Sequence, residues 1–177
     1  MKTAILFSSS RAKGDTFQIA EYIRHQSSAD LFHLADYSIS FYDYEHANKD
    51  DDFLTLVSHL VKYEHIVFAT PMYWYSMCAQ MKVFIDRLSD LLTIEKDLGR
   101  QLKGKSWSVV STGYDAQAPD CLWQPFDLTA KYLSVEYLGL LYCPCPQGFS
   151  LPQHKQSIDN FINNILAGVS ISPKLTN

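Results

Sequence analysis

The chain has 177 residues, 47% of them hydrophobic and 19% charged, with a formal net charge of −4. That length and balance suit one α/β-sized domain spanning 1–177, able to bury its core without disulfide or metal staples. A net negative charge gives no footing for nucleic acid or an anionic membrane surface, and no apolar run reaches the length of a signal peptide's core or a membrane span.

Thr3 to Phe7 reads as a short buried strand, and Asp15 to His25 follows as a helix with Thr16, Ile19, Ala20 and Ile23 on one face. Leu31 to Leu34 is a second strand. A polar loop rich in Tyr, Asp and His runs from Tyr37 to Asp50. Asp51 and Asp52 then open a helix at the positive end of its dipole, with Phe53, Leu56, Val57 and Leu60 facing inward. His65 to Ala69 is a third strand, left at Pro71, which has no N–H for a ladder. Ser76 is placed to cap a third helix striped by Met81, Phe84, Ile85, Leu88 and Leu92. Ser106 to Val110 is the fourth strand, Pro119 to Ser134 the fourth helix and Val135 to Tyr142 the fifth strand. Ile158, Phe161, Ile162 and Ile165 stripe the last helix, and Ser170 to Asn177 is expected to fray.

The stretch Thr70 to Leu88, TPMYWYSMCAQMKVFIDRL, carries the most chemistry: a strand end, two adjacent large aromatics (Tyr73, Trp74) in a loop, and a helix start. It resembles the P-x-Y-W-x-S-x-x-A-Q-x-K-x-F-I-D-R segment of the NADPH-dependent FMN reductase family. A second match, Ser8-Ser-Ser-Arg-Ala-Lys-Gly-Asp-Thr16, stands where that family carries its FMN phosphate loop. The resemblance implies a flavodoxin-like enzyme that passes electrons from NADPH or NADH through bound FMN to a small-molecule acceptor (a flavin, quinone, azo or nitro compound). It also favours a homodimer. The alternation of five strands with five helices, and strand runs that are continuously apolar, predict a three-layer α/β domain with a five-stranded parallel sheet in order 2-1-3-4-5.

In that topology the loops after strands one, three and four meet at the carboxyl ends of the strands. The first offers Ser9, Ser10 and Thr16 hydroxyls, the Arg11 guanidinium and the amides of a helix start, an array suited to a phosphate. Asp15 departs from the neutral residue many relatives carry, and its carboxylate is expected to turn toward helix amides or solvent. In the second loop, Pro71, Met72, Tyr73 and Trp74 are expected to wrap the ring's edge and face, the competing reading being that the aromatics pack on the core or a subunit contact. In the third, Ser111, Thr112, Gly113 and Tyr114 form a turn where backbone can approach the flavin pyrimidine edge.

Hydride transfer between two stacked rings needs geometry more than an acid or base, so no catalytic side chain is assigned. The six histidines are scattered without metal-ligand spacing, and none is assigned to a metal. The cysteines Cys78, Cys121, Cys143 and Cys145 contain no C-x-x-C pair; they read as reduced thiols of a cytoplasmic protein, Cys143-Pro-Cys145 being structural. Lys82 and Asp86, four apart, are expected to pair, and Met77 and Met81 to fill the core. A flavodoxin-like electron carrier or a flavin-binding sensor without turnover is the alternative reading.

Overall fold

Every residue of β1 (Thr3–Phe7) is buried, and its side chains alternate between two hydrophobic clusters, Ala4 and Leu6 in one, Ile5 and Phe7 in the other. The same division runs through β3 (His65–Ala69), where Ile66 and Phe68 face one cluster and Val67 and Ala69 the other. A strand covered on both faces has no polar side to show, which is why these runs are apolar throughout. The computed structural model describes residues 1–170.

Helices α1 (Asp15–Ser27) and α7 (Leu151–Ala167) cover one face through Ile19, Ala20, Ile23, Ile158, Phe161, Ile162 and Ile165. Helices α2 (Asp52–Leu60), α3 (Ala79–Arg87) and α6 (Asp120–Leu133) cover the other through Phe53, Leu56, Met81, Phe84, Phe126 and Ala130. Each fully buried side chain of this size contributes roughly 1.5–3 kcal/mol over its exposed state. Strand β2 (Asp30–His33), a 3₁₀ turn (Leu34–Asp36), the hairpin strands β4 (Met72–Tyr73) and β5 (Ser76–Met77), the short helices α4 (Asp90–Thr93) and α5 (Lys96–Arg100), and strands β6 (Ser106–Gly113) and β7 (Glu136–Pro144) complete the described chain.

The main sheet is parallel, in order β2-β1-β3-β6-β7. With the two hairpin strands counted separately, this is the predicted 2-1-3-4-5 order. One polar side chain is built into the sheet interior with both ring nitrogens in hydrogen bonds. Buried His65 is held between Ser106 Oγ at 2.8 Å and Ser108 Oγ at 2.9 Å, and burial pushes its imidazole down to about 3. Lys82 and Asp86 pair at 2.6 Å as their spacing requires, and Met77 and Met81 are in the core.

Several expectations need correction. The fourth strand runs on to Gly113, because pairing with β7 extends from Ser106↔Glu136 to Gly113↔Pro144. The third helix stops at Arg87; Leu92 lies in α4 and is exposed. Ser76 does not cap α3. It is a strand residue of the hairpin, and Cys78 occupies the N-cap without a side-chain cap bond. The short helices α4 and α5 were not anticipated. The expected fraying beyond Ser170 concerns residues outside those described.

Candidate functional site

The carboxyl end of β1 is tied to its neighbours by backbone: Ser8 N–H donates to Ala69 O at 3.0 Å, and Thr70 N–H to Val110 O at 3.0 Å. The β1–α1 loop therefore leaves from inside the sheet, beside the exit of β3, which in turn adjoins β6. Its base is fixed from α3's side, where the Cys78 thiol donates to Ser8 Oγ at 3.2 Å and Ser8 Oγ donates to Gln80 Oε1 at 3.0 Å. Ser9 is half-buried, Ser10 and Arg11 are exposed, and Arg11 N–H donates to Ser9 Oγ at 3.1 Å.

Helix α1 begins after Gly14, an N-cap with no side-chain cap bond, so its first-turn amides face the loop without a capping oxygen. Asp15 supplies none. Its Oδ1 accepts from Phe149 N–H at 2.9 Å, turning the carboxylate toward the β7–α7 loop rather than toward helix amides or solvent as the sequence suggested. Thr16 is buried, and its hydroxyl lies 2.7 Å from that of Thr112, so it braces helix to strand instead of opening onto the loop.

The second wall is the β4–β5 hairpin. Tyr73 pairs with Ser76 across a two-residue loop, and both loop residues have left-handed backbones: Trp74 at φ 49° and Tyr75 at φ 65°. That is the signature of a type I′ turn, which favours Asn-Gly and costs side-chain-bearing L-residues roughly 1–2 kcal/mol each. In return the turn projects its aromatics into solvent: Trp74 is 93% exposed. This excludes packing of Trp74 on its own core. Tyr73 OH lies 3.4 Å from Ser9 Oγ, joining hairpin and first loop, and the Cys121 thiol donates to Tyr75 O at 3.3 Å from the start of α6. Pro71 is buried beneath the turn and Met72 half-buried beside it.

Along the third wall, Ser111 and Thr112 are buried within β6 and present no side chain to the crevice. Gly113 closes the strand. A Cβ there would meet the Tyr142 hydroxyl and lie 2.8 Å from Met72 Cε, so glycine lets β6, β7 and the hairpin converge. Tyr142 OH is committed to Asp115 O at 2.9 Å. Tyr114 is 76% exposed directly after the end of β6.

Arg87 closes the family-matching F-I-D-R run deep along α3, and sequence reasoning gave it no partner. Its guanidinium is fully buried, paired with Asp51 at 2.6 Å and Asp90 at 2.8 Å, donating to Ser40 O at 3.1 Å and lying 4.8 Å over the Phe53 ring. Burial alone would push the Asp51 carboxyl up. The bonds from Arg87 and the Ser40 and Phe53 amides outweigh it and hold it below the usual carboxylate range. His46 adds a contact to Asp90 at 3.0 Å. The 37–51 loop is thus pinned to α3 beneath the hairpin. The available signal was position: Arg87 sits three residues after Phe84 and one before Leu88, on the buried stripe of α3.

Two cavities open on the surface, and only one adjoins the site. One of about 370 Å³ lies beside the first loop, against Ser9, Ser10, His33 and Gln80. A larger one of about 530 Å³ lies near the amino ends of the strands, lined by Glu21, Arg24, Asp30 and Tyr63 among others. Its guanidinium is already paired with Glu21 at 2.9 Å, and its remaining charge is acidic, which opposes an anionic ligand. Cys143 and Cys145, at the end of β7, are made unreactive by their environment: burial pushes the Cys143 thiol up to about 12 and Cys145 to about 11.

The model of NADPH-dependent FMN reductases matches residues 1–122, a span that contains all three crevice loops. YwqN of Bacillus subtilis, described as an NAD(P)H-dependent FMN-containing oxidoreductase, is 30% identical over 123 residues, 65% of this chain and 68% of its own length. Among solved structures, the Trp repressor binding protein from Bacillus subtilis superposes with a TM-score of 0.72 at 20% identity, over 93% of this chain and 97% of that one. An NADPH-quinone reductase from P. pentosaceus gives 0.66 at 18% identity, over 97% and 99%. At such identities the structures speak for the fold, while the sequence matches speak for descent. The chain belongs to the NADPH-dependent FMN reductase family.

Proposed function

We propose that this protein oxidises NADPH or NADH through FMN seated at the carboxyl ends of β1, β3 and β6, and delivers the electrons to a small flavin, quinone, azo or nitro acceptor. The observation that carries this reading is the strained β4–β5 turn, which spends conformational energy to display Trp74 beside the phosphate-type loop.

The donor set fits FMN. Ser9, Ser10, Arg11 and the uncapped first-turn amides of α1 form a site for a terminal phosphate, and the one carboxylate that would oppose it, Asp15, is held away by Phe149. Thr16 and Thr112 brace that loop against β6, with their backbones rather than their hydroxyls facing the ligand. Pro71, Met72, Tyr73 and Trp74 wall the ring on one side. Ser111, Gly113 and Tyr114 shape the other, Gly113 by its missing side chain. Bound FMN supplies the two-electron chemistry, accepting hydride from a nicotinamide and releasing electrons to the acceptor. The chain's own task is to orient the rings and leave one face accessible.

A homodimer completes the reading. It is supported by Phe41 and Tyr44, 80% and 83% exposed on the pinned 37–51 loop, where a second copy is positioned to cover them. Four free cysteines suit a reducing, cytoplasmic compartment, and among the described residues no helix is long and apolar enough to cross a membrane.

The test is cofactor binding coupled to turnover. The purified protein is expected to bind FMN stoichiometrically and to oxidise NAD(P)H over many cycles with a quinone, giving parallel double-reciprocal lines if coenzyme and acceptor share one ring face. Arg11→Ala should weaken FMN about ten- to a hundred-fold while sparing riboflavin, because only FMN presents the phosphate. Failure to bind FMN at micromolar levels, or equal losses for both flavins, would overturn the assignment.

A further inference from the structure

The cavity of about 370 Å³ on the α3 side of the first loop shares Ser9 and Ser10 with the FMN phosphate loop and adds donors from two other elements. It touches Ser9 and Ser10 but none of the first-turn residues of α1, and across it stand His33, at the end of β2, and Gln80, in the first turn of α3. We infer that this cavity takes the diphosphate bridge of the nicotinamide coenzyme. The inference rests on the FMN reading above, since it places the coenzyme's far end relative to a ring held by the hairpin.

The hydrogen-bond pattern orients the lining. His33 Nδ1 accepts from Ala35 N–H at 3.2 Å, which leaves Nε2–H as the donor of the ring. That imidazole is also steadied edge-to-face on Phe7, with ring centroids 4.7 Å apart. Gln80 Oε1 accepts the Ser8 hydroxyl, which itself accepts the Cys78 thiol, so the Gln80 amide has its NH2 group left over for a ligand. Ser9 Oγ accepts from Arg11 N–H, and Ser10 is exposed with its hydroxyl free. The cavity therefore offers neutral donors from His33, Gln80 and Ser10, and its lining contains no carboxylate.

Such a set recognises an oxygen-rich, weakly charged group. A phosphomonoester dianion, such as a 2′-phosphate, calls for a guanidinium or ammonium, and the lining has neither. A diphosphate diester carries one charge per phosphate, matching neutral donors better. The location agrees. The Ser9–Tyr73 contact marks the border between cavity and hairpin, so a nicotinamide lying against the ring wall can run its diphosphate past Tyr73 into the cavity.

Two variants isolate the donors. Gln80→Glu keeps an oxygen for the Ser8 hydroxyl while replacing the NH2 group by a carboxylate. His33→Asn keeps an acceptor for Ala35 N–H while removing Nε2–H. Calorimetric titration of the FMN-loaded protein with ADP-ribose, which holds the diphosphate without the nicotinamide, should show weakening of about ten- to a hundred-fold in Gln80→Glu and less in His33→Asn. KM for NADH and NADPH should rise by the same factor, while FMN affinity, whose phosphate loop shares Ser9 and Ser10 with the cavity, should fall by a clearly smaller factor. Unchanged ADP-ribose binding in both variants overturns the subsite. A parallel loss of FMN affinity assigns the cavity to the flavin phosphate instead, and a rise in KM confined to NADPH assigns it to a 2′-phosphate. Absence of FMN binding in the wild type would instead sink the reading on which the subsite rests.

Discussion

Replacing Trp74-Tyr75 by Asn-Gly should make the protein more stable and a poorer flavoprotein at once. Both residues have positive φ, each costing roughly 1–2 kcal/mol for an L-residue with a side chain. Glycine at 75 relieves its share fully but returns ~0.4–1 kcal/mol through a more flexible unfolded chain, and asparagine at 74 relieves part of its own. Little packing is lost, because Trp74 is 93% and Tyr75 56% exposed, and the Cys121 bond goes to the Tyr75 carbonyl, which glycine retains. The net gain is about 1–2 kcal/mol, or about 2–8 °C in Tm for a chain of this length. Thermal unfolding of the FMN-free protein, followed by circular dichroism, measures it. In parallel, FMN affinity and the rate of flavin reduction by NADPH should fall about tenfold or more, as an aromatic wall is lost. A Tm at or below wild type would refute the claim of strain. An unaltered flavin affinity and reduction rate would remove Trp74 from the ring wall.

Arg87→Ala leaves Asp51 and Asp90 buried without their partner and should cost about 3–5 kcal/mol in urea unfolding; a loss below about 1 kcal/mol would show that the loop re-solvates freely. Adding Asp51→Asn to that variant should recover part of the loss by removing one stranded charge. His65 gives acid sensitivity of definite sign. Its folded value, about 3, lies below the unfolded value near 6.5, so the unfolded state takes up the proton first and stability is lost as pH falls from ~6.5 toward ~3. About 2 kcal/mol should disappear between pH 6.5 and 5, seen as a falling urea midpoint, and His65→Gln should flatten that segment of the profile.

The main sheet was legible because covered strands advertise themselves as unbroken apolar runs. Helices α2 and α7 were legible from the spacing of Phe53, Leu56, Val57 and Leu60, and of Ile158, Phe161, Ile162 and Ile165. The end of β6 was not, since Ser111-Thr112-Gly113 has turn-like composition. Its burial comes from β7 and from the Thr16–Thr112 hydroxyl pair, both distant in sequence. The hairpin escaped for a different reason: two-residue strands are too short for alternation to show, and Trp-Tyr is the opposite of what a type I′ turn prefers. The turn with this unfavourable backbone also holds Trp74 almost wholly in solvent. Asp15 shows the remaining gap. Its position in the first loop was visible, but its partner Phe149 lies 134 residues away.

The convergence at Gly113 binds the history of distant positions together. The space a methyl group would need there is already held by the Tyr142 ring end and Met72, and the Tyr142 hydroxyl is itself spoken for by the Asp115 carbonyl. Position 142 lies beyond the part of the chain that matches the family, yet it dictates what position 113 can become. A lineage that enlarges residue 113 must first shorten residue 142 or swing it outward. Substitutions at the two sites are therefore expected to arise in a fixed order, with position 142 acting as gatekeeper for change at position 113.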